Sequence, residues 1–319
     1  MNNPGEDTLD RAFRPLTFAD FCGQKTACEN FQIYINSAKK RGESLDHILL
    51  SGPPGLGKTT MANILANEMG SKTITINAPS IKSKGELAGI FLKLEKNDIL
   101  FLDEIHRLHP AVEEIMYSAL EDFRLEVVTG VGAAASALSI DLPPFTLIGA
   151  TTRQGMLTKP LLDRFGDVVE FELYSIEELA SIVSRSAKKL GLECVDGGDL
   201  ALAARSRGTP RIANRLLRRI RDFAQSEDKT LVDPELVNMV CNRLGVDSRG
   251  LDKTCRRMLV LLANKNRPMG MDAIAAALGE SRDTIEDVCE PFLLNCGFIE
   301  RSHQGRTATP LAREHLNAA

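Results

Sequence analysis

The stretch that decides the fold is "LDHILLSGPPGLGKTTMANILANEMG", residues 45–70. Residues 48–50 are apolar and predict a short buried strand. Residues 52–59 fit the pattern G-x-x-x-x-G-K-[ST], and an amphipathic helical pattern follows them. A strand, a glycine-rich loop and a helix in this order are typical of a phosphate-binding loop. A glycine- and proline-rich loop without a ligand is the alternative, and it leaves the agreement of motif and flanks unexplained.

Each residue type in the loop has a physical reason to be there. Gly52, Gly55 and Gly57 let main-chain N–H groups turn inward around phosphates, and the helix N-terminus adds partial positive charge. Lys58 has the length to reach the β- and γ-phosphates, and the Thr59 hydroxyl can ligate Mg²⁺. The sequence therefore predicts a site for a nucleoside triphosphate with Mg²⁺.

A second segment, "NDILFLDEIHRL", carries two carboxylates at the end of an apolar run. Residues 99–102 predict a strand buried on both faces of a parallel sheet. Asp103 and Glu104 then emerge at its carboxyl end, where open α/β sheets bind ligands. Asp103 suits a Mg²⁺ ligand, and Glu104 suits a group that orients the attacking water. The alternative is an acidic strand end neutralised by a nearby lysine or arginine.

The remaining pattern up to residue 172 predicts an α/β domain. Residues 110–123 predict a helix with an apolar stripe (Val112, Ile115, Met116, Ala119, Leu120 and Phe123). "FTLIGATTR" predicts a third strand that ends in Thr151 and Thr152. A hydroxyl there could sense the γ-phosphate, or it could merely end the strand. Alternating strands and helices predict a doubly wound parallel sheet within residues 1–172, with a loose N-terminus.

Residues 173–248 predict a small all-α domain. "SIEELASIVSRSAKKLG" begins with the capping box of Ser175 and Glu178. "GTPRIANRLLRRIRDFA" begins with Thr209 as N-cap and Pro210 at the first helical position. Arg211 lies in the first turn of that helix, where the helix dipole disfavours a cation. A bound phosphate would offset that unfavourable placement.

Residues 249–319 predict three helices and a terminal hairpin, which together suggest a winged helix. The third helix carries the acidic residues Asp283, Glu286, Asp287 and Glu290, so we do not expect it to read bases. In the hairpin "GFIERSHQGRTATP", Arg301, His303 and Arg306 could contact DNA phosphates without reading sequence. A solvated turn is the alternative. Two arginines bind weakly, so several copies around one duplex would be needed.

Composition excludes several classes of protein. The 319 residues are 43% hydrophobic and 26% charged with a net charge of −4, which argues against a generally basic nucleic-acid coat. No apolar run reaches the roughly 18 residues that span a bilayer, and residues 1–13 lack a secretion signal. Seven scattered cysteines without C-x-x-C spacing favour reduced thiols over a zinc site. We expect a cytoplasmic protein with no membrane partner.

Taken in order, these motifs resemble the RuvB family of bacterial Holliday-junction branch-migration ATPases, which are AAA+ proteins. The resemblance runs from about residue 11 to 316 and includes "GPPGLGKTT", "LFLDEIHRL", "YSALEDF", "PLLDRFG", "RGTPRIANRLLRRIRD" and the terminal hairpin. It implies an AAA+ domain, a helical lid and a winged helix. It also implies a homohexamer that uses ATP and Mg²⁺ to pull duplex DNA from a Holliday junction in recombination and repair. The RuvA tetramer holds that junction, and RuvC joins in a larger complex.

The resemblance also assigns roles by motif. Walker B is matched by Asp103 and Glu104, sensor 1 by Thr152, the arginine finger by Arg164 and sensor 2 by Arg211. The other residues that it places at the nucleotide are Phe13, Arg14, Gly55, Lys58, Thr59, Thr60, Glu121, Asp122, Phe123 and Tyr174. It places Arg301 and Arg306 on DNA. The local alternative for Arg164 is a surface ion pair with Asp163 or Asp167.

Two segments depart from the family pattern, and two other classes of protein remain. Residues 133–135 are alanines and residue 138 is leucine in the segment that meets RuvA, where relatives usually carry basic residues. The hairpin "RSHQGR" is also less basic than in many relatives. An initiator-like ATP switch with a winged helix would hydrolyse ATP slowly and prefer a DNA sequence. A clamp-loader subunit would end in a helical collar.

Overall fold

The computed structural model describes residues 13–129, 136–265 and 267–318. Its contacts divide the chain into two compact units. The first, which we call the sheet unit, contains residues 14–52 and 57–172. The second, which we call the lid–wing unit, contains Phe13, the four loop residues Pro53–Leu56 and the chain from Leu173 onward.

A five-stranded parallel sheet is the centre of the sheet unit, in the order β2-β3-β6-β1-β7. The strands of this unit are β1 Ile48–Ser51, β2 Thr73–Asn77, β3 Ile99–Asp103, β4 Arg124–Thr129, β5 Ser136–Asp141, β6 Thr146–Thr151 and β7 Asp167–Glu170. The three central strands are buried along their apolar residues because helices cover both faces of a parallel sheet. The predicted doubly wound α/β domain is confirmed.

The helices of the sheet unit are α1 Lys25–Arg41, α2 Lys58–Met69, α3 Lys84–Phe91, α4 Pro110–Glu121 and α5 Lys159–Leu162. The predicted stripe of α4 is in the core, with Val112, Met116, Ala119 and Leu120 buried and Ile115 partly buried. The prediction that this helix reaches Phe123 is wrong. Asp122 caps the helix, and Phe123 takes a left-handed conformation with φ 51°, which no α-helix accommodates.

Strands β4 and β5 form an antiparallel pair beside the sheet, with Arg124 opposite Asp141. The alanines at 133–135 belong to the segment that the family resemblance predicts to bind a partner protein, and they lie outside the described residues. Leu138 in β5 is 52% exposed. An apolar side chain is therefore open to solvent in this segment.

The first part of the lid–wing unit is helical: α6 Ile176–Lys189, α7 Gly198–Ala204, α8 Pro210–Ser226 and α9 Pro234–Arg243. The capping box of Ser175 and Glu178 is present, so the predicted start of α6 is confirmed. Thr209 stands at the N-cap of α8, but its hydroxyl donates to the Arg207 carbonyl instead of accepting from the helix. A short parallel pair, β8 Glu193–Cys194 and β9 Leu231–Val232, was not predicted from the sequence.

The second part is a winged helix. Its elements are α10 Lys253–Ala263, α11 Met271–Leu278, α12 Arg282–Thr284, α13 Glu290–Asn295, β10 Ile299–Ser302, β11 Gly305–Ala308 and α14 Pro310–Ala318. A π-helical turn, Ile285–Cys289, joins α12 to α13. The β10–β11 hairpin, which we call the wing, gains a bridge from Met269 to Arg306. Gly305 is required beside it, because a Cβ there would lie 2.4 Å from the Met269 carbonyl oxygen.

Among the described residues, no helix is both long enough and apolar enough to cross a bilayer.

Candidate nucleotide site and nucleic-acid interface

The phosphate loop leaves β1 and enters α2 as the sequence predicts. Gly52 has φ 134°, and a Cβ there would lie 2.5 Å from the Phe171 carbonyl oxygen, so only glycine fits. Gly57 has φ 100° and is followed at once by Lys58, the first residue of α2. The Lys58 ammonium is buried and lies 2.5 Å from the Gly52 carbonyl oxygen. The helix N-terminus and a buried cation therefore meet at one loop, which suits a phosphate chain.

The two predicted acids lie at the carboxyl end of β3. Asp103 ends the strand, and its Oδ1 accepts the main-chain N–H of Glu104 at 3.0 Å. Glu104 is left-handed, with φ 55°. A non-glycine residue held in this region often marks a functional site.

His106 is a residue that motif reasoning missed. Its Nε2 lies 3.6 Å from Glu104 Oε2, and its Nδ1 lies 3.0 Å from the Thr151 hydroxyl. His106 therefore ties the predicted catalytic glutamate to the end of β6. The available signal was a histidine two residues after the acidic pair, in "DEIH".

Thr152 follows β6, which lies between β1 and β3 in the sheet. The carboxyl ends of these strands therefore bring the phosphate loop, Thr152 and Asp103 to one edge. Within the described chain, the Thr152 hydroxyl is buried and has no hydrogen-bond partner. Buried polar groups are almost always paired, so this hydroxyl fits a ligand oxygen such as that of a phosphate.

Arg164 is bound within its own chain at every guanidinium nitrogen. Nε donates to the Tyr117 carbonyl at 3.1 Å, and Nη1 donates to the Pro160 carbonyl at 2.6 Å. Nη2 pairs with the Glu121 carboxylate at 2.7 Å. The ion pair that the sequence left open is therefore formed with Glu121, which the resemblance also places at the nucleotide.

The guanidinium of Arg164 lies over the Tyr117 ring, with its carbon 4.7 Å from the ring centroid. The Tyr117 hydroxyl donates to the buried carboxylate of Glu113 at 2.7 Å, and the Thr158 hydroxyl donates to the same oxygen. The Tyr117 ring beneath Arg164 is therefore itself hydrogen-bonded within the sheet unit.

The other two residues of the predicted 121–123 segment differ in exposure. Asp122 is exposed, whereas Phe123 is partly buried against the rings of His47 and Phe145. His47 is itself buried: its Nδ1 accepts the Leu147 N–H at 2.9 Å, so its Nε2 donates to the Leu120 carbonyl at 3.0 Å. Burial lowers the pKa of His47, although the Leu120 carbonyl and a nearby carboxylate oppose the shift.

In the lid–wing unit, the tip of the phosphate loop contacts the start of α8. Gly55 has φ 84°, and a Cβ there would lie 2.8 Å from side-chain carbons of Arg211 and Thr209. The Arg211 N–H lies 3.4 Å from the Gly55 carbonyl oxygen, and the Tyr174 hydroxyl donates to the Leu56 carbonyl at 3.0 Å. Arg211 and Tyr174, which are both predicted at the nucleotide, thus contact this loop.

The remaining predicted nucleotide residues have different exposures. Phe13 is buried, whereas Arg14 is exposed. Thr59 is half-buried and Thr60 is buried, both in the first turn of α2.

The two wing arginines are in different environments. Arg301 is exposed and, with His303, lines an open groove of about 560 Å³ at the turn. Arg306 is buried and forms a bidentate ion pair with Glu290, at 2.7 and 3.0 Å. Arg301 and Arg306 flank the turn as predicted, in register with each other, and the DNA contacts predicted for both stay predictions.

The ion pair of Arg306 with Glu290 also reduces the negative charge that the third helix exposes. We predicted from the sequence that Glu290 would repel phosphate, but its carboxylate is buried and neutralised by Arg306. Glu286 is paired with Arg282 at 3.3 Å. Asp283 is exposed and Asp287 is half-buried.

Comparison with known proteins matches nearly the whole chain to one family. Three family models match in order: the Holliday junction DNA helicase RuvB P-loop domain at 13–171, the RuvB AAA lid domain at 174–247 and the RuvB C-terminal winged helix domain at 248–317. The structure of Thermotoga maritima RuvB, described as a Holliday junction branch migration motor, is 41% identical with a TM-score of 0.88. The match covers 96% of this chain and 98% of that chain. A point variant of the same Thermotoga protein matches at 41% identity and a TM-score of 0.89 with the same coverage.

Proposed function

Because the chain belongs to the RuvB family and is an AAA+ P-loop ATPase, we propose that it is an ATP-driven motor on duplex DNA. Its task is the branch migration of Holliday junctions in recombination and repair. The observation that carries the proposal is the order of ATPase domain, lid and winged helix along one chain, each matched by a RuvB model. A clamp-loader subunit would need a helical collar where this chain has a winged helix.

The chemistry is in-line attack of water on the γ-phosphate, in which the protein positions groups and stabilises charge. Lys58 holds the β- and γ-phosphates, Thr152 donates to a γ-phosphate oxygen, and Glu104 orients the attacking water. Mg²⁺, when bound, draws negative charge from the phosphates, and the residues that would hold it are Thr59 and Asp103. The unpartnered Thr152 hydroxyl and the buried Lys58 support this assignment.

Arg164 acts on the ATP of a neighbouring subunit in a homohexamer. The match of Arg164 to the family motif "PLLDRFG", just after α5, supports this role. Arg211 and Tyr174 bind the nucleotide from the lid. We propose that the ATPase domain spans residues 1–172, the lid 173–248 and the winged helix 249–319, and the ranges of the family models support these bounds.

The partners follow from the family. RuvA, as a tetramer on the junction, contacts the β4–β5 segment, where exposed Leu138 favours an apolar contact in this chain. RuvC joins the same complex, and Arg301 contacts the DNA backbone. A protein with these partners works in the cytoplasm.

Measuring ATP turnover with and without duplex DNA of unrelated sequences tests the proposal. A motor accelerates turnover on each duplex, and Lys58→Ala abolishes the activity. Turnover that is slow, insensitive to DNA and accompanied by a sequence preference in binding would move the assignment to the initiator-like switch.

A further inference from the structure

Arg207 joins the lid to the winged helix through every guanidinium nitrogen. Nε donates to the Gly250 carbonyl at 2.6 Å, Nη1 lies 3.3 Å from the Cys255 sulfur, and Nη2 pairs with Asp252 at 2.7 Å. The guanidinium carbon lies 4.9 Å from the Phe292 ring centroid. One buried side chain of the lid thus contacts the linker, the start of α10 and the third helix of the winged helix.

The backbone and the charges around Arg207 are specialised for this contact. Arg207 is left-handed, with φ 54°, in the turn between α7 and α8. Such a conformation costs on the order of 1 kcal/mol and persists only where surrounding contacts hold it. Burial raises the pKa of Asp252, but the Arg207 charge and the hydrogen bonds of the carboxylate lower it by more. The ion pair is therefore intact at neutral pH.

The linker between the two domains has little freedom. Residues 247–251 form a closed turn, in which Gly250 N–H donates to Asp247 and Asp247 N–H donates to Leu251. Gly250 passes so near α7 that a Cβ would lie 2.7 Å from the Arg205 carbonyl oxygen. The other side of the turn is held by His315, whose Nε2 lies 2.8 Å from Asp247 Oδ2. These bonds favour one conformation of the linker.

A continuous set of bonds runs from the phosphate loop to Arg207. The Tyr174 hydroxyl donates to the Leu56 carbonyl at 3.0 Å, and the Tyr174 N–H donates to the Gly208 carbonyl at 2.9 Å. Gly208 is the neighbour of Arg207, and a Cβ on it would lie 2.8 Å from Leu173. The loop tip is therefore connected through Tyr174 to the turn that carries Arg207.

We propose that Arg207 is a positioning residue that makes the lid and the winged helix one rigid body, so that nucleotide-dependent movement of the lid carries the wing along DNA. The inference rests on the proposed motor function. Arginine suits the role because its planar fork satisfies three acceptors at fixed angles, whereas lysine offers a point charge. The side chain of Arg207 is buried among protein groups, and its loss lowers the mechanical work obtained per ATP without lowering ATP turnover.

The test compares Arg207→Lys with Arg205→Lys. Arg205 is a matched control, since the bonds of its side chain to other described residues stay within the lid, at the Ala201 carbonyl and at Asn238. We expect Arg207→Lys to keep ATP turnover near that of the unaltered protein while junction movement per ATP falls on the order of tenfold. Arg205→Lys should leave both quantities unchanged.

Hydrogen exchange provides a readout that does not depend on the motor. In Arg207→Lys, the amides of Gly250 and Leu251 should exchange faster than in the unaltered protein, with no change in Arg205→Lys. Should Arg207→Lys not fold, Asp252→Asn removes the ion pair while keeping an acceptor for the Cys255 N–H, which Asp252 now caps at 2.9 Å.

The outcomes separate the inference from the function on which it rests. Unchanged junction movement and unchanged amide exchange would overturn the role of Arg207. If ATP turnover and junction movement fell by the same factor, junction movement per ATP would be unchanged. That result would also overturn the role of Arg207. If the unaltered protein moves no junctions, the motor proposal fails, and the exchange comparison still decides whether Arg207 holds the two domains together.

Discussion

The guanidinium of Arg164 lies 2.7 Å from the carboxylate of Glu121, in a pair whose two side chains are 22% and 63% exposed. A surface ion pair by itself contributes roughly 0–1 kcal/mol. To reach a neighbour's ATP, Arg164 must leave Glu121 and also the carbonyls of Tyr117 and Pro160. We therefore expect an arginine finger to start from a bonded resting position.

Replacing Arg164 should affect hydrolysis far more than nucleotide binding. An arginine finger is worth about 10³–10⁵ in turnover, so we expect Arg164→Ala to lose most activity while equilibrium ATP binding stays near normal. Mixing this variant with Lys58→Ala subunits should restore part of the turnover, because each supplies what the other lacks. Glu121→Gln is the control for the ion pair, and it should change turnover by less than about tenfold. Equal losses of binding and turnover in Arg164→Ala would contradict the finger role.

Removing the Thr152 hydroxyl should lower ATP turnover without lowering thermal stability. Thr152→Val removes a buried hydroxyl that has no partner in the described chain, so thermal stability should stay the same or rise. Loss of one donor to a transition-state oxygen should lower turnover about 10²–10³-fold.

Thr151→Val is the matched control for this change. The Thr151 hydroxyl bonds His106 and the Arg153 N–H, so its removal should lower the melting temperature. Thermal unfolding and steady-state turnover, measured on both variants, check the pair. A Thr152→Val protein with full turnover would exclude the sensor role.

The two wing arginines should give different phenotypes. Arg301→Ala should weaken DNA binding and leave folding intact. The slope of the logarithm of the binding constant against the logarithm of the salt concentration should become shallower by about one unit. Arg306→Ala leaves Glu290 buried and unpaired, which typically costs about 3–5 kcal/mol of folding stability.

Salt titrations of duplex binding, combined with thermal unfolding, distinguish the two effects. Replacing both Arg306 and Glu290 by methionine should recover stability relative to Arg306→Ala. An Arg306→Ala protein that is fully stable and fails only in DNA binding would show that the buried pair opens and that Arg306 contacts phosphate directly.

Stability should depend on pH through His47. Burial lowers the pKa of this imidazole. Below about pH 6.5, His47 is therefore protonated in the unfolded chain before it is protonated in the folded chain. The free energy of unfolding should then decrease by up to about 1.4 kcal/mol per pH unit as the pH falls, with no contribution from His47 above that range.

The His47→Gln variant tests this dependence. Its amide can still accept from the Leu147 N–H and donate to the Leu120 carbonyl, but it does not titrate. Denaturant unfolding between pH 5 and 8 should show a smaller slope in the variant. An identical slope in the two proteins would assign the acid sensitivity to another group.

The sequence was most informative where local spacing determines structure. The loop 52–59, the strand before Asp103 and the capping box at Ser175 follow from motif, apolar run and helix signal, and all three are present in the fold. Local patterns cannot reveal partners that are distant along the chain. Arg306 is paired with a residue 16 positions earlier, and Arg164 with one 43 positions earlier. Both pairings arise from tertiary packing, so only the structure shows that Arg306 is paired with Glu290 and that Arg164 is paired with Glu121 and not with Asp163 or Asp167.

Movement of a synthetic four-way junction with ATP and Mg²⁺, measured with and without RuvA and beside Lys58→Ala, decides whether this chain is a motor. We expect junction movement that requires ATP, RuvA and Lys58. DNA binding and ATP turnover without any junction movement, even at high protein concentration, would contradict the motor and leave an ATP-dependent DNA-binding switch.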